Sequence, residues 1–120
     1  MKDFRTLQVW QKSHPLTLEI FNITRSFPKE EMYGITSQLR RAIASIPANL
    51  AEGCGRGSDK NFSRFVTISM GSASEAEYFL LLSRDLQFLE ATKADSYLQM
   101  LEEIKKMLTS LIKTLNKVTI

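Results

Sequence analysis

The chain has 120 residues, of which 43% are hydrophobic and 24% are charged, and it contains only 3 prolines and 5 glycines. These are ordinary globular values, and they argue against a disordered chain or a β-rich one. We therefore expect a single domain over residues 1–120. The formal net charge of +3 permits a nucleic-acid partner without requiring one.

The sequence shows no sign of export or of membrane insertion. No apolar run of signal-peptide type follows the N-terminus, and no stretch approaches the length of a membrane span. A single cysteine, Cys54, excludes an internal disulfide and suits a reducing compartment. These features predict a cytoplasmic protein without membrane contact.

The first predicted helix covers residues 6–26, where apolar residues recur every three or four positions. Pro15 removes one hydrogen bond inside this segment, so the helix either kinks there or begins there. The kink is the preferred interpretation because Leu7, Val9 and Trp10 would otherwise have no surface to cover.

The second predicted helix covers residues 34–53, with Gly53 as its C-terminal cap. Pro47 lies inside it, at a cost of roughly 3 kcal/mol in a helix interior. The segment therefore either kinks or divides into two helices, and the carbonyl of Ile43 loses its usual partner. Its core stripe is Ile35, Leu39, Ile43, Ile46 and Leu50.

The third and fourth predicted helices cover residues 59–89 and 93–117, and Ser58 is a suitable N-cap for the third. Short connections make neighbouring helices antiparallel, which predicts an all-α, up-down-up-down four-helix bundle. The third helix carries two periodic rows, and the fourth carries one heptad row. These rows are Phe65, Ile68, Ser72, Glu75, Phe79, Leu82, Leu86 and Leu89; Phe62, Val66, Ser69, Ala73, Ala76 and Leu80; and Tyr97, Leu101, Ile104, Leu108, Leu111, Leu115 and Val118.

Two further faces of the second helix carry candidate functional residues. Ala44, Ala48 and Ala51 are either good exposed helix formers or an oligomer contact at which a second helix approaches closely. A polar set is predicted to form a network that fixes helix register, the alternative being a solvated face. Its members are Arg41, Ser45, Asn49 and Glu75.

Basic residues cluster around the corner between the second and third helices. Five lie between positions 40 and 64, against Glu52 and Asp59, and a second group follows at Lys105, Lys106, Lys113 and Lys117. Such a corner can contact phosphates, and its binding would depend steeply on salt. With Arg41 assigned to the structural network, the predicted nucleic-acid-binding residues are Arg40, Arg56, Lys60 and Arg64.

The sequence offers no enzyme site, metal site or cofactor site. The only histidine is His14, preceded three positions earlier by Gln11 rather than Glu, so the motif of two-metal carboxylate bundles is absent. Cys54 has no histidine placed to activate it, and the glycine-rich residues 53–57 lack the Walker pattern. We therefore expect no catalytic residue and no cofactor.

Several blocks of the chain together resemble a known family. They lie at Phe4 and at residues 7–12, 27–31, 33–34, 36–42, 45–53 and 71–75, and the most specific reads Ser-Ile-Pro-Ala-Asn-Leu-Ala-Glu-Gly. They resemble the four-helix-bundle family of intervening-sequence proteins, small bacterial proteins encoded in insertions within 23S ribosomal RNA genes. The family has also been labelled a ribosomal protein family. It is similar to the accessory variability determinant of diversity-generating retroelements.

The resemblance implies a bundle that assembles as a homopentamer and has no enzymatic activity. For the retroelement relatives it implies a basic surface that binds nucleic acid and the reverse transcriptase. The first hypothesis is thus an oligomer that binds RNA or DNA. The alternative is a protein-interaction scaffold, such as a reverse-transcriptase accessory protein, without direct nucleic-acid contact.

Overall fold

The computed structural model describes residues 3–117 and shows four α-helices with no strand in that range. The helices are α1 (Gln8–Ile23), α2 (Ile35–Cys54), α3 (Asp59–Asp85) and α4 (Ala91–Asn116). Short 3-10 turns lie at Phe4–Thr6, Thr24–Ser26 and Lys29–Glu31. The predicted four-helix bundle is confirmed. The heptad row predicted for the fourth helix ends at Val118, which lies outside the described residues.

Each helix runs antiparallel to its neighbours. The bundle is elongated because the long helices lie side by side, and it measures 48 × 21 × 20 Å. Hydrogen bonds between residues far apart in the sequence show how the helices are arranged. Ser69 of α3 contacts Ile46 of α2, and Ser63 near the start of α3 contacts Asn116 at the end of α4. The α1–α2 and α3–α4 connections therefore lie at one end, and the α2–α3 connection lies at the other.

The core is a single apolar cluster supplied by all four helices. Leu39, Ile43, Ile46 and Leu50 of α2 are fully buried, as the core stripe predicted, whereas Ile35 is only half-buried. On α3 the buried row is the one that begins at Phe62. Most of the other members of the core come from α1 and α4: Val9, Leu16, Ile20, Ala94, Tyr97, Leu101, Ile104, Leu108 and Leu115. Ala42 and Cys54 of α2, together with Phe27 and Leu89 in the connections, complete it.

Both prolines lie inside continuous helices. Pro15 is exposed, and α1 runs through it from Gln8, so the alternative in which the helix begins at Pro15 is wrong. Leu7, Val9 and Trp10 pack on the core, as expected. Pro47 is buried inside α2, which is one helix rather than two.

A hydroxyl group of α1 compensates for the break at Pro47, and a hydroxyl group of α3 binds α2 at the same level. Proline has no N–H, so the Ile43 carbonyl four residues earlier lacks its helical donor. Thr17 Oγ1 of α1 donates to this carbonyl over 3.3 Å, while sharing its proton with the Ser13 carbonyl at 2.8 Å. Ser69 Oγ of α3 donates to the Ile46 carbonyl over 2.9 Å. All three helices are therefore joined at the level of the proline.

The end of α2 differs from the prediction, because the helix continues through Gly53 and has Gly55 as its C-cap. Gly53 serves a packing role instead. A Cβ at this position would lie 2.8 Å from Phe65 Cβ and 2.9 Å from Phe62 Cδ1. Since real Cβ atoms do not approach so closely, Gly53 is needed for the tight contact between α2 and α3.

The third helix ends at Asp85 rather than near Leu89, because Gln87 has a left-handed backbone with φ 65°. The Phe88 N–H donates to the Ser83 carbonyl over 2.9 Å. Together these features form a Schellman motif, with Gln87 where glycine is usual.

Replacing Thr17 by Val should lower the free energy of unfolding by about 1–3 kcal/mol, because the Ile43 carbonyl is left buried without a donor. In a Pro47→Ala background the restored N–H supplies that donor, so the same change should cost clearly less. Urea denaturation of the four proteins measures this coupling. Thr114→Val, which removes only a hydrogen bond to Ser110 at an exposed site, is the control. Equal costs of Thr17→Val in both backgrounds would contradict the role assigned to Thr17.

Gln87→Gly should raise the free energy of unfolding by about 1 kcal/mol, because it relieves a left-handed conformation that is unfavourable for residues with a Cβ. Gln99 is exposed in the middle of α4, and Gln99→Gly should instead lower stability by about 1 kcal/mol. Thermal denaturation of both variants provides the comparison. Destabilisation by both would show that Gln87 has contacts that outweigh its backbone strain.

Candidate nucleic-acid interface

The loop between α2 and α3 and the first turns of α3 present exposed cations at one end of the bundle. Gly57 takes a left-handed conformation, with φ 81°, and Ser58 caps α3 by accepting a hydrogen bond from the Asn61 N–H at 3.2 Å. This local structure places Lys60 and Arg64 one helical turn apart, both exposed, with Arg56 in the preceding loop.

The end of α4 adds two more cations at the same place. Ser63 Oγ donates to Asn116 Oδ1 over 2.9 Å, which joins α3 and α4 here. Lys113 and Lys117, which flank Asn116, are exposed. Sequence reasoning placed them in a separate group, although the antiparallel order of the last two helices was a sufficient signal. We call Arg56, Lys60, Arg64, Lys113 and Lys117 the basic end.

A cleft of about 390 Å³ lies within the basic end. Its polar lining combines hydroxyl, amide and cationic groups with a single carboxylate, that of Asp59. Such a lining offers hydrogen-bond donors to phosphate or sugar oxygens. The lining residues are Asp59, Lys60, Asn61, Ser63, Arg64, Leu115 and Asn116.

Most cations of the basic end are not neutralised by the protein itself. Arg56 forms an ion pair with Glu52 at 2.7 Å and lies over the Phe65 ring at 5.1 Å. Within residues 3–117 the other four have no ion-pair partner. Cations that neutralise phosphates release the counterions condensed around a nucleic acid, and this release favours binding. These four groups are available for such contacts because no carboxylate neutralises them.

The opposite end of the bundle has a different electrostatic character. There Arg84 contacts Asp95 at 3.1 Å and Asp85 at 3.3 Å. Hydrogen bonds to Asp95 first, and then to Asp85, raise the pKa of Arg84 above its ordinary value. Its charge is thus shared with carboxylates, as is that of Arg56 but not those of the other four cations of the basic end.

Arg40 does not belong to the basic end, and its assignment as a phosphate ligand stays a prediction. Its Nε donates to Thr24 Oγ1 at 2.8 Å, and its NH2 group donates to the Phe21 carbonyl at 3.2 Å. The guanidinium also lies 5.3 Å from the centre of the Phe21 ring. Arg40 therefore holds the end of α1 against α2.

Within residues 3–117 the members of the predicted polar network are not joined to one another through their side chains, so their role in fixing helix register stays a prediction. Ser45 Oγ donates to the Arg41 carbonyl, and Asn49 Nδ2 donates to the Ser45 carbonyl, each at 2.8 Å. These are bonds to the backbone one turn earlier in the same helix. Glu75 is exposed, and no hydrogen bond or ion pair within residues 3–117 links it to the other three. Its position in the outer row of α3 explains why it needs no buried partner.

The alanine face of α2 lies at the surface of the bundle. Ala48 is exposed, while Ala44 and Ala51 are half-buried. A second helix has access to this face, and its assignment as an oligomer contact stays a prediction.

The family model described as "23S rRNA-intervening sequence protein" matches residues 5–110. The chain belongs to this family. The match includes α1, α2, α3 and most of α4, so the resemblance found in the sequence blocks is confirmed. The loop and first turns of α3 that carry Arg56, Lys60 and Arg64 lie inside it. Lys113 and Lys117 lie just beyond it.

A crystal structure from Bacteroides thetaiotaomicron, of a protein with unknown function from the S23 ribosomal protein family, has the same fold. The two sequences are 28% identical, the match covers 88% of this chain and 95% of that chain, and the TM-score is 0.81. No curated protein matches this member of the intervening-sequence family.

Two observations concern other classes of site in this family member. None of the helices in the described residues is both long and apolar enough to span a bilayer. Residues 3–117 also contain no group of three or more His, Cys, Asp or Glu side chains arranged to hold a metal ion.

Arg40→Ala should lower the free energy of unfolding by about 1–3 kcal/mol, because it removes charge-assisted hydrogen bonds that hold the end of α1. Arg25→Ala is the matched control, since Arg25 lies at the same end of α1 and is exposed. Circular dichroism during urea denaturation measures both. An equal, negligible effect of the two substitutions would show that the Arg40 contacts do not stabilise the fold.

Proposed function

We propose that this chain is a non-enzymatic, oligomeric bundle that binds structured RNA or DNA through the basic end. The observation that carries the proposal is the convergence of five exposed cations from the α2–α3 loop, the start of α3 and the end of α4. Phosphate contacts of this kind supply most of the affinity of sequence-independent binding. The binding we propose is therefore governed by phosphates rather than by base edges.

Oligomerisation is part of the proposal because one basic end is small. Two cations on adjacent turns of α3 and two on adjacent turns of α4 offer a patch for a few phosphates. A homopentameric ring, as the family resemblance implies, would repeat that patch around the ring and form a larger basic surface. The open alanine face of α2 supports close contact between copies. The single cysteine supports a cytoplasmic location, where nucleic-acid partners occur.

The name of the family mentions 23S ribosomal RNA, and this supports an RNA as the first nucleic acid to test. The Bacteroides neighbour is described as having unknown function, and it adds no ligand. A double-stranded RNA hairpin and a DNA duplex of the same length are therefore suitable probes.

The double substitution Lys60→Glu, Arg64→Glu should abolish or strongly weaken binding of the hairpin, measured by fluorescence anisotropy. For the wild type, affinity should fall steeply between about 50 and 200 mM salt, and each lost phosphate contact should reduce the slope of log K against log salt by about 0.7–0.9. Removing both cations should thus reduce the magnitude of the slope by about 1.4–1.8.

Lys29→Glu, Lys93→Glu is the matched control, because it makes the same change in net charge with exposed residues at the opposite end. It should leave the salt slope nearly unchanged. Absence of binding by the wild type even at about 50 mM salt, where phosphate contacts are strong, would overturn the proposal. That result would favour a scaffold that contacts only proteins, such as a reverse-transcriptase accessory protein.

A further inference from the structure

The third helix carries a second apolar row that the bundle does not bury. Along this row the residues follow steps of three and four, which is the heptad spacing of a coiled-coil seam. Ile68 is 42% exposed and Leu86 is 47% exposed, while Phe79 and Leu82 are half-buried. We call this row the outer seam of α3: Phe65, Ile68, Ser72, Glu75, Phe79, Leu82 and Leu86.

A heptad-spaced seam on an outer surface suits a helical partner. Side chains at this spacing form a continuous ridge that inserts into the gaps between side chains of a facing helix. Ile68 and Leu86 leave apolar surface exposed on this face, and the half-buried Phe65, Phe79 and Leu82 add to it, as is common at interaction sites. The inner row of the same helix, which begins at Phe62, already fills the core.

Glu75 restricts the identity of that partner. It lies at the middle of the outer seam, is exposed, and has no ion-pair partner within residues 3–117. A twofold contact of this seam with itself would bring two Glu75 carboxylates together, and like charges at the centre of an apolar contact are destabilising. The partner surface must instead offer a cation at its own centre.

The outer face of α2 has the required pattern. Small residues recur there at steps of four and three, with one exposed arginine among them, and that arginine has no ion-pair partner within residues 3–117. We call this the small row of α2: Ser37, Arg41, Ala44, Ala48 and Ala51. Within one molecule, Gly53 and Ile46 are the residues of α2 that face α3, against Phe65 Cβ and Ser69, and neither of them belongs to the small row.

We infer that the outer seam of α3 packs on the small row of α2 from a second copy of this chain, with Glu75 paired to Arg41. This inference rests on the oligomer in the proposed function and specifies its interface. In a ring whose axis follows the bundles, α2 and α3 of adjacent copies are antiparallel. With Arg41 opposite Glu75, this direction places Ala48 opposite Ile68 and Ala51 opposite Phe65, so large side chains face small ones.

The contact joins two different surfaces and is therefore heterologous. Each copy has one outer seam and one small row, so each copy binds two neighbours, and a suitable rotation between them closes a ring. The position of Arg41 in this contact also accounts for an exposed arginine that makes no ion pair in the single chain. It assigns Glu75 and Arg41, which do not form the predicted intramolecular network, to a joint role between copies.

The charge pair is tested by size exclusion with light scattering at several protein concentrations. Glu75→Arg alone and Arg41→Glu alone should each weaken association at least about tenfold, since reversing one partner creates a like-charge pair. The combined charge swap should restore the mass of the wild type. Glu90→Arg, at an exposed position outside both rows, should leave the mass unchanged.

A monomeric wild type would overturn the inference, as would single variants that keep the wild-type mass or a charge swap that fails to restore it. Circular dichroism checks that the helices persist, because both residues are exposed. If either variant unfolds, disulfide crosslinking between engineered cysteines tests the interface instead. Ala48→Cys and Ile68→Cys proteins should crosslink when mixed under oxidising conditions and not when separate, while a disulfide from Ile68→Cys alone would overturn the heterologous contact.

These measurements are independent of nucleic acid. If the protein assembles as inferred but does not shift the hairpin at low salt, only the proposed binding of nucleic acid is refuted. A protein that binds the hairpin as a monomer would refute the interface and the oligomer, and would leave the phosphate binding of the basic end standing.

Discussion

The bundle depends on how it accommodates a proline at the centre of its second helix. Pro47 removes the donor for the Ile43 carbonyl, and that carbonyl is inside the protein, where an unmet acceptor costs about 1–3 kcal/mol. Thr17 supplies a hydroxyl from α1, and Ser69 supplies one from α3 to the neighbouring Ile46 carbonyl. The defect in α2 thus becomes the point at which the two flanking helices are held in register with it.

This arrangement determines what the outer faces of α2 can do. Thr17 supplies the donor for the Ile43 carbonyl from the core side, and Ser69 also binds α2 from that side, so the solvent side of α2 is left to alanines and to Arg41. Gly53 brings α3 close at the end of the same helix. Since α3 then uses its row from Phe62 to Ser83 for the core, its second row is left at the surface. The proposed interface and the basic end both follow from this division of the helical faces.

Periodicity in the sequence was sufficient to predict the four helices, the fold and the core stripe of α2, because these depend on residues close together in the chain. It could not choose between the two rows of α3, since both repeat at helical spacing and the choice depends on where α2 and α4 lie. The same limit explains Arg40 and Arg41. They are adjacent, and only the path of α1 determines that Arg40 reaches the Phe21 carbonyl while Arg41 remains at the surface. By contrast, the grouping of Lys113 and Lys117 with Lys60 and Arg64 follows from the antiparallel order of α3 and α4, which the sequence did predict.

Charged residues have different roles at the two proposed surfaces. In the proposed ring, the combination of these roles would place all basic ends on one side. At the interface, one carboxylate and one guanidinium face apolar surroundings, where a matched pair sets register and a mismatch is costly. At the basic end, several cations remain in water without partners, where each contributes little to folding and the sum attracts a polyanion. In a ring whose axis follows the bundles, heterologous contacts keep every copy pointing the same way, so all basic ends lie on one side. The proposed ring would in this way concentrate a modest excess of charge from each chain on a single surface, without any increase in the net charge of the chain.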